Sequence, residues 1–269
     1  MPFFHLVILA LVQGITEFLP ISSSGNLVLA HEMMGKTVDD LTLDIAVHVG
    51  TLVAVLIYFR RDLVRMVCTF KKGGNKTLPF AIIVASLPVI LAGYLLHLYG
   101  AEWTRSLALL AWSTLIFGII LGIADKFSPH EKTLEQLTLK NAFLIGLAQV
   151  LALIPGTSRS GITMTAARAL GFSRTESARF SLFLAIVAIS GAGMLTGLDL
   201  LKEQNSTLGL EALIAAFISF VSALAAISLM MRWLEKASFT PFVIYRILLG
   251  LLLLGLLYSG ILESNGFAP

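Results

Sequence analysis

Five stretches of this chain carry no Asp, Glu, Lys or Arg: Leu78–Leu96, Ser106–Ala124, Phe180–Leu198, Ala212–Met231 and Ile247–Leu262. Each approaches or reaches the roughly 20 apolar residues that a helix needs to cross a bilayer. Thr42–Phe59 is a sixth such stretch, interrupted by Asp44 and His48. The pattern predicts six spanning helices. Two further apolar regions, Phe3–Met34 and Asn141–Leu170, do not read as simple spans. Each is an apolar run, then a Pro/Gly/Ser break, then a short second helix ending at a glycine, Gly35 or Gly171. Neither half is long enough to cross alone. Non-helical backbone at membrane depth persists only where protein or a watery cavity covers it. Two re-entrant helical hairpins are therefore predicted, a single kinked span being the alternative for each.

The two irregular regions are copies of one another. Shifting the chain by 136 positions places Gln13 on Gln149, Ser22 on Ser158, Ser24 on Ser160 and Gly25 on Gly161. Leu11 also meets Leu147, Ala30 meets Ala166 and Gly35 meets Gly171, without a gap. The copies differ where chemistry would reside: Glu17 faces Leu153, and Ser23 faces Arg159. A duplicated break in apolar sequence points to a binding site near the membrane midplane. The chain reads as one membrane domain over 1–269, with a first repeat over about 1–130 and a second over about 137–269.

Composition agrees. At 57% hydrophobic, 13% charged and a mean hydropathy of +0.89, the sequence excludes an ordinary soluble domain. The single cysteine, Cys68, excludes an internal disulfide and a cysteine metal cluster. The first residues lack a basic segment, and Glu17 follows soon, which argues against a cleaved signal peptide. The pI of about 9.1 reads as loop charge rather than nucleic-acid binding. The Arg60–Lys76 loop holds Arg60, Arg61, Arg65, Lys71, Lys72 and Lys76. Alternation puts Lys126, Lys132, Lys140, Arg174, Arg232 and Lys236 on the same side, and only Lys36, Arg105 and Lys202 opposite. Twelve basic residues against three place that loop in the cytoplasm and both termini outside. One hairpin plus three spans per repeat makes the second copy inverted, so the two hairpin tips can meet.

Glu17 and Arg159 are each costly inside an apolar segment, by roughly 2.5 kcal/mol or more at a helix centre. A purely structural Glu17–Arg159 bridge between the tips is one reading. The surrounding hydroxyls of Ser22, Ser23, Ser24, Thr157, Ser158 and Ser160 favour another. A helix starting near Ser160 would offer backbone N–H groups, a guanidinium and hydroxyls to an anion, with a phosphate's preferences. Ser22–Gly25 opens a second helix in the same way, and Gly161 is the counterpart of Gly25. Asp44 and His48 share a helix face and could line the cavity, hold a cation or simply satisfy a helix end. Arg168, Arg179 and Arg246 are expected to snorkel to the surface. No phosphate-binding P-loop and no His-Glu-x-x-His pattern is present.

Gln13-Gly-Ile-Thr-Glu17-Phe-Leu-Pro-Ile-Ser-Ser-Ser-Gly25, together with Pro155-Gly-Thr-Ser-Arg-Ser-Gly161, resembles the undecaprenyl-diphosphate phosphatases of the bacitracin-resistance type. Asp44–Thr51, Arg60-Arg61 and the Pro241–Arg246 segment extend the resemblance over nearly the whole chain. It implies hydrolysis of undecaprenyl diphosphate to the monophosphate and phosphate in a bacterial inner membrane. That reaction recycles the carrier lipid for peptidoglycan. It also implies catalytic roles for Glu17, Ser23 and Arg159, and a divalent cation, Mg2+ or Ca2+, with Glu17 as its ligand. Homodimerisation is left open. Two positions depart from the family pattern. Gln13 stands at the first acidic position, and Asn26 stands where the family usually has histidine. Asparagine cannot shuttle protons near neutral pH. Inverted repeats with crossed hairpins also suit a lipid transporter or flippase, and a silent lipid-binding relative is a third possibility.

Overall fold

Small and hydroxylic residues decide how these helices meet, because lipid gives apolar helices no hydrophobic reason to associate. The computed structural model describes residues 3–34, 41–72, 76–100, 106–129, 131–202 and 209–261. Gly35, Lys36, Arg105 and the extreme termini lie outside them. The helices are α1 (Phe3–Thr16), α2 (Ser23–Met34), α3 (Leu41–Tyr58), α4 (Arg60–Lys72), α5 (Thr77–Tyr99) and α6 (Leu107–Phe127). They continue as α7 (Leu139–Val150), α8 (Arg159–Ala169), α9 (Arg174–Lys202), α10 (Leu210–Leu234) and α11 (Thr240–Tyr258). Among the described residues there is no strand, only an isolated bridge between Lys132 and Phe172. Hydroxyl caps start several of the helices: Ser106 accepts from Leu109 N–H, Thr138 from Asn141 N–H, Ser158 from Gly161 N–H and Ser173 from Glu176 N–H.

Among the described residues five helices, α5, α6, α9, α10 and α11, are long and apolar enough to cross a membrane. A sixth is obtained if α3 and α4 count as one span bent by 67°. The protein is thus an all-helical, multi-pass membrane protein. Residues 60–72, predicted as loop, are helical. Leu63 and Met66 of α4 pack against the core while Arg60, Arg61 and Arg65 stay exposed, so one apolar side holds the segment in a helix.

Two of the spanning helices, α5 and α10, are apolar outside and mostly small inside. On α5, Phe80, Ile83, Leu87 and Leu91 are exposed, whereas Ala81, Ala85 and Ser86 are buried. On α10, Leu213, Phe217 and Leu229 face outward, and Ala212, Ala215, Ser219 and Ala223 face inward. α1 lies against α10, and α7 lies against α5. A Cβ on Gly146 of α7 would come within 2.7 Å of Ala85 Cα, so the backbones approach as only glycine permits.

Arg168 and Arg246 are fully buried, contrary to the snorkelling expected of them. The physical reason is internal satisfaction. Arg168 Nε donates to Asp125 Oδ1 at 3.2 Å, and its other nitrogens reach the carbonyls of Asp125, Ser128, Pro129 and Phe172. Asp125 also accepts from Arg174 Nε at 2.7 Å and from Phe239 N–H at 3.1 Å. One carboxylate thereby joins α6, α8, α9 and the start of α11. Arg179 is half-buried, paired with Asp62 at 2.5 Å and with Glu176 at 3.7 Å.

Candidate active site

The two irregular turns share one backbone device. Ser22 and Ser158 occupy the left-handed region, at φ 68° and 67°. Such a conformation costs a residue with a side chain about 1–3 kcal/mol, and it persists only where the surroundings enforce it. In each case the serine's own Oγ accepts from the N–H three residues on, Gly25 at 3.4 Å and Gly161 at 3.1 Å. These glycines are the equivalent positions of the repeat. The strained serine reverses the chain after Pro20 or Pro155, and a helix begins at once, α2 at Ser23 and α8 at Arg159. Both helix starts leave backbone N–H groups for an anion.

The turns meet through two cross-links. Arg159 Nη2 donates to Glu17 Oε1 at 2.9 Å, both side chains being largely buried. Ser160 Oγ donates to the Leu19 carbonyl at 2.8 Å. Because Ser160 spends its proton on a carbonyl, the Ser158 hydroxyl is the donor in the 3.1 Å contact between Ser158 Oγ and Ser160 Oγ.

From Glu17 a polar chain continues outward. Gln13 Nε2 donates to Glu17 Oε2 at 2.8 Å and reaches His48 Nε2 at 3.1 Å. His48 Nδ1 donates to the Asp44 carbonyl at 2.8 Å, since a carbonyl can only accept. Asp44 Oδ1 stands 3.5 Å from His48 Nδ1 at the exposed end. Asp44 and His48 are therefore tied to the Glu17–Arg159 pair through Gln13.

Several buried polar atoms of the two motifs have no hydrogen-bond partner among the described residues: Arg159 Nη1, Thr157 Oγ1, Gln13 Oε1 and both amide atoms of Gln149. An unpaired buried donor or acceptor costs about 1–3 kcal/mol. A bridge built only for stability would engage both guanidinium nitrogens facing the carboxylate. Here Nη2 holds Glu17, and Nη1 has no partner among the described residues.

Ser23 and Ser24 lie half-buried in the first turn of α2, and Ser23 makes no bond to Glu17 among the described contacts. Asn26 is occupied structurally: its Nδ2 donates to the carbonyls of Ser22 at 2.8 Å and Ile21 at 3.5 Å, and its Oδ1 accepts from the Tyr245 hydroxyl. Among the described residues no three of His, Cys, Asp and Glu stand together as a metal cage.

Residues outside the two motifs also shape the site. Ser113 donates to the Pro155 carbonyl and Thr114 Oγ1 lies 3.3 Å from the Gly156 carbonyl, both from α6. Arg246 of α11 donates to Gly156 and Thr157. Nothing in local sequence marks Ser113 or Thr114. Arg246 stood out as a cation beside an apolar run and as the end of the Pro241–Arg246 segment of the resemblance, with no site role attached to it.

Residues 6–252 match the family described as bacitracin resistance protein BacA. A protein of Roseobacter denitrificans named undecaprenyl-diphosphatase is 46% identical over 262 residues, covering 94% of this chain and 98% of that protein. Proteins of the same name from Alteromonas mediterranea and Saccharophagus degradans are 46% and 47% identical, over 94% and 93% of this chain and 98% and 96% of their own lengths.

Proposed function

The chain belongs to the bacitracin resistance protein BacA family, and from that membership we infer that it is an undecaprenyl-diphosphatase of the membrane. It hydrolyses undecaprenyl diphosphate: water enters at the terminal phosphorus, the P–O–P anhydride bond breaks, and undecaprenyl phosphate and inorganic phosphate leave. The observation that carries the site assignment is Arg159, whose Nη2 holds Glu17 while buried Nη1 is left for another acceptor.

In this reading the terminal phosphate sits between the two helix starts. Arg159 Nη1, the Thr157 hydroxyl and the N–H groups opening α2 and α8 receive its oxygens, Ser22, Ser24, Gly25, Ser158, Ser160 and Gly161 forming the two cradles. Charge spreads over those oxygens in the transition state, so preorganised donors lower the barrier. Glu17 is the base: it deprotonates either a water that attacks the phosphorus directly, or the Ser23 hydroxyl, whose phosphoserine a water then hydrolyses to release phosphate. Gln13 and the His48–Asp44 pair orient Glu17 and connect it to the outside. Asn26 holds the start of α2 and takes no proton. For a divalent cation, Glu17 and the unpartnered Gln13 Oε1 are oxygen donors of the right kind, the remaining ligands being phosphate oxygens and water. Such a cation, Mg2+ or Ca2+, would neutralise charge on the diphosphate.

The topology that fits is six spanning helices and two re-entrant hairpins, α1–α2 and α7–α8, in inverted repeats over about 1–130 and 137–269. The paired left-handed serines support it, as does the exchange in which α1 packs on α10 and α7 on α5. The twelve-to-three basic bias puts both termini on the outer face of the bacterial inner membrane. Self-association as a homodimer is compatible with it.

Phosphate release from detergent-solubilised undecaprenyl diphosphate tests the reading. Arg159→Ala is expected to lower kcat by at least a hundredfold or so, and Arg159→Lys heavily too, since lysine lacks the fork. Ser23→Ala separates the nucleophiles: near-complete loss means serine attack, substantial residual turnover means water. Activity of Arg159→Ala within a few-fold of wild type overturns the phosphate site, and lipid movement without phosphate release would mean a transporter.

A further inference from the structure

Two consecutive residues of α11 each hold one of the two phosphate turns. The Tyr245 hydroxyl donates to Asn26 Oδ1 in the first turn of α2. Arg246 Nη2 donates to the Gly156 carbonyl and Nη1 to the Thr157 carbonyl, both at 2.9 Å, while Nε donates to Thr114 of α6 at 3.2 Å. The guanidinium is fully buried, and among the described residues no carboxylate pairs with it. Glycines make the room. A Cβ on Gly161 would lie 2.6 Å from Arg246 Nη1, and one on Gly118 would lie 2.7 Å from Arg246 Cβ. Gly25, the repeat counterpart of Gly161, backs onto Leu249 of the same helix, where a Cβ would meet Cδ2 at 3.3 Å.

This arrangement is poor as a stability device. A buried cation needs compensation, and carbonyl dipoles alone supply less than a carboxylate would. The charge also lies beside the start of α8, where the helix dipole is already positive. Both penalties fall when an anion binds nearby. The geometry has a second consequence. In a trans peptide the C=O and N–H point in opposite directions. Holding the Thr157 carbonyl behind the turn directs the Ser158 N–H forward, away from Arg246.

We propose that Tyr245 and Arg246 form a clasp on α11 that sets the two phosphate-binding helix starts relative to each other, with Arg246 as the positioning residue for the Pro155–Ser158 turn. The proposal rests on the phosphate site described above. Arg246 touches no reacting atom: it aims the donors of the turn and keeps the site positively charged before substrate arrives.

The test uses the full chain in detergent, with kcat and KM for undecaprenyl diphosphate and the thermal shift produced by inorganic pyrophosphate. Arg246→Gln keeps a donor but removes charge and fork. It is expected to lower kcat by roughly a hundredfold with KM changed only a few-fold, because the aimed donors act mainly in the transition state. Its pyrophosphate-induced shift should be reduced in step with the few-fold change in KM, and Arg246→Lys should recover the shift more fully than kcat. Gly161→Ala displaces the guanidinium without removing its charge. It should reproduce the kcat loss and add little further loss in the Arg246→Gln background. It also serves if Arg246→Gln does not fold. Tyr245→Phe should lower kcat less, by about tenfold or under, as one neutral hydrogen bond is removed. If Gly161→Ala and every folded Arg246 variant keep kcat within about threefold and the full pyrophosphate shift, the clasp is wrong. Arg159→Ala measured in parallel separates the layers. If it is inactive beside an active Arg246→Gln, only the clasp falls; if it is active, the phosphate site falls as well.

Discussion

Glu17 is the residue on which the chemistry turns, since Arg159 holds one of its oxygens and Gln13 the other. Glu17→Gln keeps the shape and loses the charge, and the Arg159 guanidinium is then buried without a counter-charge. Turnover is expected to fall by at least about a thousandfold through loss of the base, while the helices still assemble. Phosphate release with circular dichroism checks both, and near-normal turnover would remove Glu17 from the mechanism. Asn26 is the other informative residue. Its amide donates twice and accepts once in one geometry, which an imidazole cannot copy atom for atom. Asn26→His is expected to loosen the Tyr245 contact and to lower the rate no further than Tyr245→Phe does, by about tenfold or under. A large rise in rate would mean instead that asparagine weakens the natural enzyme.

At the scale of elements, close approach through small residues joins the helices. Gly146 of α7 sits against the Ala85 backbone of α5, and Gly14 of α1 against Ser219 of α10. Gly146→Val should force α7 off α5 and destabilise by about 1–3 kcal/mol as an overpacked contact. Because α7 delivers the Pro155–Ser158 turn, activity should fall with it. Gly193→Ala on α9 is the control, since a Cβ there meets nothing within 4 Å. Thermal unfolding in detergent compares them, and equal melting temperatures would contradict the packing account. The helices themselves could be anticipated from charge-free runs, and the breaks from Pro20 and Pro155. The helix α4 could not be anticipated so readily. The six basic residues over 60–76, five of them in α4, read as loop until Leu63 and Met66 found an apolar surface.

At the scale of the molecule, the proposed inverted topology predicts which faces are accessible. With Cys68 replaced by serine, single cysteines near Lys202 and Phe267 should react with an impermeant thiol reagent applied from outside. A cysteine at Lys72 should react only after the membrane is opened. Strong outside labelling at Lys72 would reverse the orientation, and labelling of both ends from opposite sides would break the six-span count.

By itself the sequence determined the membrane class, the positions of the apolar helices and the repeated turns. These follow from local properties: a run without charge, a proline followed by serines and a glycine, and an internal offset. It also singled out Glu17 and Arg159, because an ionised group in apolar sequence is costly wherever the rest of the chain goes. Only the tertiary structure decided what those groups touch. Arg159 meets Glu17 across 142 positions, and Ser160 meets Leu19 across 141. Arg168 and Arg246 are buried rather than snorkelling because Asp125 in one case, and the carbonyls of Thr114, Gly156 and Thr157 in the other, accept their hydrogen bonds. The space for Arg246 exists because residues 118 and 161, far away in the chain, lack a side chain. Compensation of a buried charge depends on partners brought from a distance, and no local pattern records them.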